Sequence, residues 1–140
     1  MLEGVATYLQ AKGLGVFDPD GVGGDIFIEH LPDSPSSAIA LMSTGGPEEP
    51  GVRHPFDTRS FQVLVRGGVD PRPAKTRAEA IYNALQGLTG VTLDDGTYVV
   101  GIGAIQPGPI RVGQDQNNRH RFSLNFWARV RAITENRPGW

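Results

Sequence analysis

The sequence predicts an α+β fold, in which a mostly antiparallel β-sheet has two helices packed on one face. The first observation is that segments with alternating apolar and polar residues occur in groups, beside two segments with helical spacing. The second is a long C-terminal segment, 119–132, in which the alternation is strict. We therefore expect a grouped, antiparallel arrangement with a long C-terminal strand.

The C-terminal segment 119–132 reads RHRFSLNFWARVRA and has a period of two. Successive side chains of a β-strand point to opposite faces, so one row of this strand is almost wholly apolar. The other row contains Arg119, Arg121, Trp127, Arg129 and Arg131. A strand usually has about 5 to 6 residues, so we expect this one to overhang its own domain and offer unpaired backbone groups and arginines to another molecule.

The elements of the first half follow from local spacing and turn residues. Apolar residues at 2, 5, 6 and 9, followed by glycines at 13 and 15, predict a short N-terminal helix. Segments 26–31 and 38–42 read as strands, which we interpret as a hairpin with a wide connection. Residues 44–58 have no periodicity and are rich in proline and glycine, so they are predicted to form a loop of a length that tends to be functional.

The second half contains the best predicted helix. Residues 59–66 alternate and predict a strand, and Asp70 is a suitable N-cap for a helix whose apolar stripe, at positions 74, 78, 81, 85 and 88, is partly alanine. An Asp-Asp-Gly turn at 94–96 joins strand 91–93 to strand 98–106. Glycines 101 and 103 leave one face of that strand open to a neighbouring backbone or ring, and 110–114 predicts a short further strand.

Length and composition indicate one domain, which we place at residues 1–133, followed by a C-terminal tail at 134–140. Cysteine is absent, which excludes disulfides and thiolate metal sites. The start Met1-Leu2-Glu3 does not read as a signal peptide, and no apolar run is long enough to span a membrane, so we expect a soluble protein made in the cytoplasm. Residues 1–50 hold one base and eight acids, whereas 111–140 hold six arginines and two acids; opposite ends of this kind would attract copies head to tail.

Motifs for catalysis and cofactor binding are incomplete. The Gly101-x-Gly103 pair has Gln106 where a dinucleotide site needs a small residue, and the glycines at 21–24 lack the Lys and Ser/Thr of a phosphate loop. The aspartates at 18, 20 and 25 lack the final glutamate of a calcium loop. The three histidines are scattered, and no nucleophile elbow is present. We therefore expect no enzymatic activity, no cofactor and no metal.

Five short segments together resemble the tail-terminator proteins of long-tailed bacteriophages, which are also described as minor capsid or tail-completion proteins. The segments are LPDSP at 31–35, TGG at 44–46, FQVLVRG at 61–67, EAIYNALQGL at 79–88 and RHRFSLNF at 119–126. The resemblance implies a virion protein of the tail neck, assembled in the host cytoplasm, that forms a hexameric ring on the last tail-tube ring. This ring stops tube growth and provides a surface for joining the head.

The partners that the resemblance implies are further copies of the chain, the tail-tube protein and a head-completion or connector protein, with DNA only as cargo passing through the lumen. We place the assembly interface in the loop 44–58 and the C-terminal strand, at Glu48, Glu49, Arg53, Phe56, Arg119, Arg121, Trp127, Arg129 and Arg131. Two alternatives stay open: another neck or head-completion component, and a small nucleic-acid-binding protein that uses the arginine face, although the overall acidity disfavours the latter.

Overall fold

The computed structural model describes residues 1–46 and 54–137, which contain two α-helices and seven β-strands. The strands form one sheet in the order β1-β2-β3-β7-β5-β4, and β6 also pairs with β7. The α+β prediction is confirmed. The elements are α1 Leu2–Ala11, β1 Ile26–Ile28, β2 Ala38–Gly45, β3 Phe56–Arg66, α2 Pro71–Leu85, β4 Thr89–Thr92, β5 Tyr98–Ala104, β6 Ile110–Gln114 and β7 His120–Arg131.

Both helices pack on the same face of the sheet, because their buried residues join one core cluster with the inward rows of β2, β3 and β7. Asp70 caps α2: its carboxylate accepts the Arg72 backbone N–H at 3.0 Å, and the hydrogen bond from the Arg72 side chain lowers the pKa of Asp70 to about 2. Small residues bring α2 close to the sheet. A Cβ on Gly67 would lie 2.6 Å from the Cβ of Ala74. Within the described residues, neither helix is long and apolar enough to cross a membrane.

The turn between β4 and β5 fastens the start of α1 to the sheet. The Asp95 carboxylate accepts the backbone N–H of Thr97 and of Gly4, both at 3.0 Å, and lies 3.0 Å from the Met1 amino nitrogen. Burial alone would raise the pKa of Asp95, but the hydrogen bonds from Thr97 and from the amino group outweigh it and lower the pKa to about 2. The ionised carboxylate therefore joins two distant parts of the chain.

Strand β7 runs through the middle of the sheet. It pairs with β3 from Phe56↔Arg131 to Arg66↔Arg121, and its other side pairs with β5 and β6. The expectation that this strand overhangs its domain with unpaired backbone groups was wrong, because three neighbouring strands use those groups. The inward row is buried as predicted, and Phe126 stacks on Phe61 with ring centroids 5.3 Å apart.

Strand β1 runs parallel to β2, so the predicted hairpin of these two strands was wrong. Glu29 has φ 68°, a left-handed conformation that ends β1 after three residues. The chain then returns through residues 29–37, which the side chain of Arg66 holds. Its guanidinium donates to the carbonyl oxygens of Pro32, Pro35 and Ser36 at 2.6, 2.7 and 2.9 Å, and burial lowers the pKa of Arg66.

The predicted loop 44–58 was too long at both ends. Strand β2 continues through Gly45, and β3 begins at Phe56. Arg137 holds the start of β3 in place by donating to the carbonyl oxygens of His54 and Phe56 and to the Asp57 carboxylate. The hydrogen bond from Arg137 lowers the pKa of Asp57. Residues 47–53 lie outside the described part of the chain.

Candidate assembly surface

The face of the sheet opposite the two helices presents polar, aromatic and cationic side chains. We name it the helix-free face. Both helices bury their apolar residues on the other side, against the inward rows of the strands. Its members include Phe56, Thr58, Ser60, Gln62 and Leu64 of β3, Gly101 and Gly103 of β5, and Arg121, Asn125, Trp127, Arg129 and Arg131 of β7.

Trp127 lies on this face, directly over Gly103, its partner on β5. A Cβ built on Gly103 would lie 2.5 Å from Cζ2 of the indole, so the ring occupies the space that a side chain would take. The expectation that a ring approaches this glycine is confirmed. At Gly101 the nearest neighbour of such a Cβ is Cγ2 of Thr89, at 3.7 Å. The indole is 40% exposed and is available to another molecule.

Arg129 and Arg131 lie at the C-terminal end of β7, and each guanidinium is placed over an aromatic ring. Arg129 is 5.7 Å from the ring centroid of Phe56 and donates to Oγ1 of Thr58 at 2.8 Å. Arg131 is 4.5 Å from the ring centroid of Tyr98. Both pairs have the geometry of cation–π contacts. Arg129 is therefore half-buried and held within its own subunit, whereas Arg131 is exposed.

Arg119 precedes β7 and is only 8% exposed. Its guanidinium forms ion pairs with the carboxylates of Asp33 and Asp115, each at 2.7 Å. The hydrogen bond to Asp33 raises the pKa of Arg119, so the cation is permanent but neutralised. These contacts join the 29–37 segment to the turn before β7. Arg121 is different, since it is half exposed and its Nη2 lies 3.4 Å from the carbonyl oxygen of Gln114.

The structure brings together some of the nine residues that the sequence analysis assigned to the assembly interface. Phe56, Trp127, Arg129 and Arg131 lie on the helix-free face, with Arg121 near its opposite end, while Arg119 lies in internal contacts. The remaining three, Glu48, Glu49 and Arg53, lie outside the described residues.

A group of exposed apolar side chains adjoins Trp127 and was not identified from the sequence. Ile105, Ile110 and Val112 are 64%, 43% and 44% exposed. The pairing of Ile110 with Ser123, and the hydrogen bond from the Ile105 N–H to the Asn125 carbonyl, place both isoleucines on the helix-free face by strand parity. We name Ile105, Ile110 and Trp127 the apolar patch. Alternation breaks at the Pro-Gly-Pro turn 107–109, which is why spacing did not indicate it.

Part of the charge asymmetry between the two ends of the sequence is neutralised inside the subunit. Asp33 pairs with Arg119, and Asp25 pairs with Arg77 at 2.5 Å. The attraction between copies is therefore smaller than the charge counts suggest. Among residues 1–46 and 54–137, no group of three or more His, Asp and Glu side chains is arranged to hold a metal ion.

An α+β subunit in which, among the described residues, no helix covers one face of the sheet has the form of a small structural protein that makes contacts with other macromolecules. Residues 8–131 match the family described as bacteriophage tail terminator protein, and the chain belongs to that family. It is thus a structural protein of the phage tail and of the virion, where it associates with other virion proteins.

Among solved structures, the chain is similar to one from the virion of a native gene transfer agent (GTA) particle. The two share 21% sequence identity and a TM-score of 0.61, over 91% of this chain and 92% of that chain. This likeness shows a common fold. No curated protein matches the chain.

Proposed function

We propose that the protein forms a closed hexameric ring on the end of the tail tube, stops tube elongation and provides the surface to which the head is joined. Membership of the tail-terminator family across residues 8–131 is the observation that supports this function. The fold shared with a protein from the virion of a gene transfer agent particle is consistent with it.

The proposed partners are other copies of the chain, the tail-tube protein and a head-completion or connector protein. DNA passes through the lumen as cargo, and assembly takes place in the host cytoplasm before the ring joins the tail neck. We assign contacts between subunits or rings to the helix-free face, with Arg121, Trp127 and Arg131, and to the segment 47–53, with Glu48, Glu49 and Arg53. Arg and Trp are both enriched among residues that dominate interface energies.

Electron microscopy of the purified protein, alone and mixed with growing tail tubes, tests this function. We expect single rings, rings at tube ends, and tubes that stop lengthening once the protein is added. A tail-tube subunit would instead polymerise without limit. Tubes that reach the same length distribution with and without the protein would contradict capping.

Charge reversal tests the assigned surfaces. Arg131→Glu, and separately Glu48→Lys combined with Glu49→Lys, should leave a folded subunit with reduced ring formation. Arg72→Glu is the matched control, because the Arg72 side chain is 87% exposed and pairs only with Asp70 among the described residues. Circular dichroism checks folding, and native mass spectrometry counts subunits. Normal rings from both test variants would remove these residues from the interface.

The exposed Arg131 and Trp127, which lie on the same face of β7, also favour a second function, binding of a nucleic-acid backbone with base stacking on the indole. Against it, Arg119 is neutralised by two carboxylates and Arg129 is engaged by Phe56 and Thr58. Salt-dependent binding of the isolated subunit to duplex or single-stranded DNA at about micromolar concentration would favour this second function. Ring formation without DNA binding would favour the terminator.

A further inference from the structure

We propose that neighbouring subunits of the ring are joined through two different surfaces, with the apolar patch of one copy seated in a groove beside β1 of the next. The groove has a volume of about 480 Å³, and its apolar lining comes from Val16, Val22, Phe27 and Pro35. We name it the valine groove. This contact rests on the proposed ring and specifies how that ring closes.

The valine groove exposes apolar side chains on a loop that is already ordered. Val22 is 87% exposed and Val16 is 54% exposed. The Asp18 carboxylate accepts the backbone N–H of Asp20 at 3.0 Å and of Gly23 at 2.9 Å, which fixes the turn that presents Val22. A preformed loop loses little conformational freedom when it binds, so exposed valines here favour association.

The two surfaces lie at opposite sides of the sheet. The Val16 carbonyl accepts the N–H of Ile26, the first residue of the edge strand β1. The apolar patch lies on β7 and on the two segments that pair with the side of β7 away from β3, at Ile105, which follows β5, and at Ile110 of β6. A contact between opposite sides of identical subunits is heterologous, and a heterologous contact is the kind that closes a ring when its rotation permits.

The chemistry of the two surfaces is complementary. Arg121 lies on the same face as the apolar patch, two residues from Ser123, the partner of Ile110, while Asp18 and Asp20 belong to the loop of the valine groove. An apolar centre with an oppositely charged rim is the usual composition of a specific interface. Most exposed large apolar side chains of the described residues belong to these two surfaces; those outside them are Val69, Val100, Val112 and Ile133. A second copy of this chain is therefore the occupant that the charges and apolar residues fit.

Aspartate substitutions test the contact, since each places a charge among the apolar side chains of one surface. Val22→Asp and Ile110→Asp should each raise the protein concentration needed for ring assembly by more than about tenfold. Val69→Asp is the matched control, because Val69 is 69% exposed and outside both surfaces. The readout is native mass spectrometry of the protein alone and electron microscopy on purified tail tubes.

A mixture of the two variants gives a sharper result. The Ile110→Asp subunit keeps an intact groove, and the Val22→Asp subunit keeps an intact patch. Mixed in equal amounts, they should form one-to-one pairs that do not extend to rings. Such pairs are expected only for a heterologous contact between these two surfaces.

Cysteine pairs test the same contact without adding charge. The chain has no cysteine, so Val22→Cys combined with Ile110→Cys should give a ladder of disulfide-linked subunits from rings, whereas Val69→Cys combined with Ile110→Cys should not. Two outcomes would refute this contact while leaving the capping ring in place. The first is a wild type and aspartate variants that form rings equally well; the second is a wild type that forms rings while the Val22→Cys and Ile110→Cys pair gives no ladder. If the wild type forms no ring alone or on tubes, both are refuted.

Discussion

Replacement of Gly103 by alanine is the most direct test of how the helix-free face is packed. The added Cβ would lie 2.5, 2.6 and 2.7 Å from Cζ2, Cε2 and Nε1 of Trp127. Carbon atoms in favourable contact are about 3.5 to 4.0 Å apart, so the indole must move by about an ångström or leave its position. Overpacking of this kind costs about 1 to 3 kcal/mol. The stiffer unfolded chain offsets roughly 0.4 to 1 kcal/mol of it, so we expect a net loss of about 1 to 2 kcal/mol.

Gly101→Ala is the matched control on the same strand and the same face. Its new Cβ would have one neighbour, at 3.7 Å, which is an ordinary contact distance. Neither glycine has a positive φ, so alanine meets no backbone strain at either position. Gly101→Ala should therefore leave stability unchanged or raise it by up to about 1 kcal/mol.

Urea unfolding followed by circular dichroism measures both changes. Trp127 fluorescence, recorded in a Trp140→Phe background, reports displacement of the indole as a shift of the emission maximum. In a double-mutant cycle, Trp127→Ala should remove most of the cost of Gly103→Ala, with a coupling energy of about 1 kcal/mol or more. Equal stability of the two alanine variants, or a cost that persists without the indole, would refute the packing described here.

Three further substitutions probe an acidic group, a buried cation and the interface between α2 and the sheet. The folded pKa of Asp95 is about 2 and its ordinary value is 3.8, so ionised Asp95 stabilises the fold above about pH 4, and this stabilisation is lost as the pH falls to about 2. Asp95→Asn should therefore make the melting temperature depend less on pH between about pH 2 and 5. Arg66→Met should cost about 2 to 4 kcal/mol in urea unfolding, because four carbonyl groups lose a charged donor, whereas exposed Arg72→Met should cost almost nothing. Ala78→Leu should cost about 1 to 3 kcal/mol by forcing α2 off the sheet, whereas Leu at exposed Glu79 should not.

The rows of β7 were predictable because alternation is a local property of a strand. The neighbouring strands of β7 were not predictable, because the sequence of 119–132 does not indicate which strands pair with its backbone groups. The direction of β1 was also hidden. A three-residue strand has too few positions to set a recognisable pattern. The strand ends at Glu29 in a left-handed conformation, and glutamate is not a residue type from which that conformation is predicted.

Exposure and charge pairing were the least predictable features of the surface. In the sequence, Arg119 and Arg131 occupy equivalent positions of one alternating row. In the fold, Arg119 meets Asp33 across 86 residues of chain and is buried, whereas Arg131 remains exposed. The exposed isoleucines beside Trp127 were missed for a similar reason, because a short strand at the edge of a sheet reads like one in its core.

The central position of β7 has a consequence for the synthesis of the protein. Without β7, the order of strands separates into β1-β2-β3 on one side and β5-β4 on the other, and no described pairing joins them. The strand that joins them is translated after all the others, so the ribosome must release nearly the whole described chain before the sheet can form. Long-range pairing of this kind is slow and leaves strand edges open until it is complete. A truncated chain that ends before residue 120 therefore lacks the complete sheet on which both proposed ring surfaces depend. We expect that such a chain is not incorporated into rings.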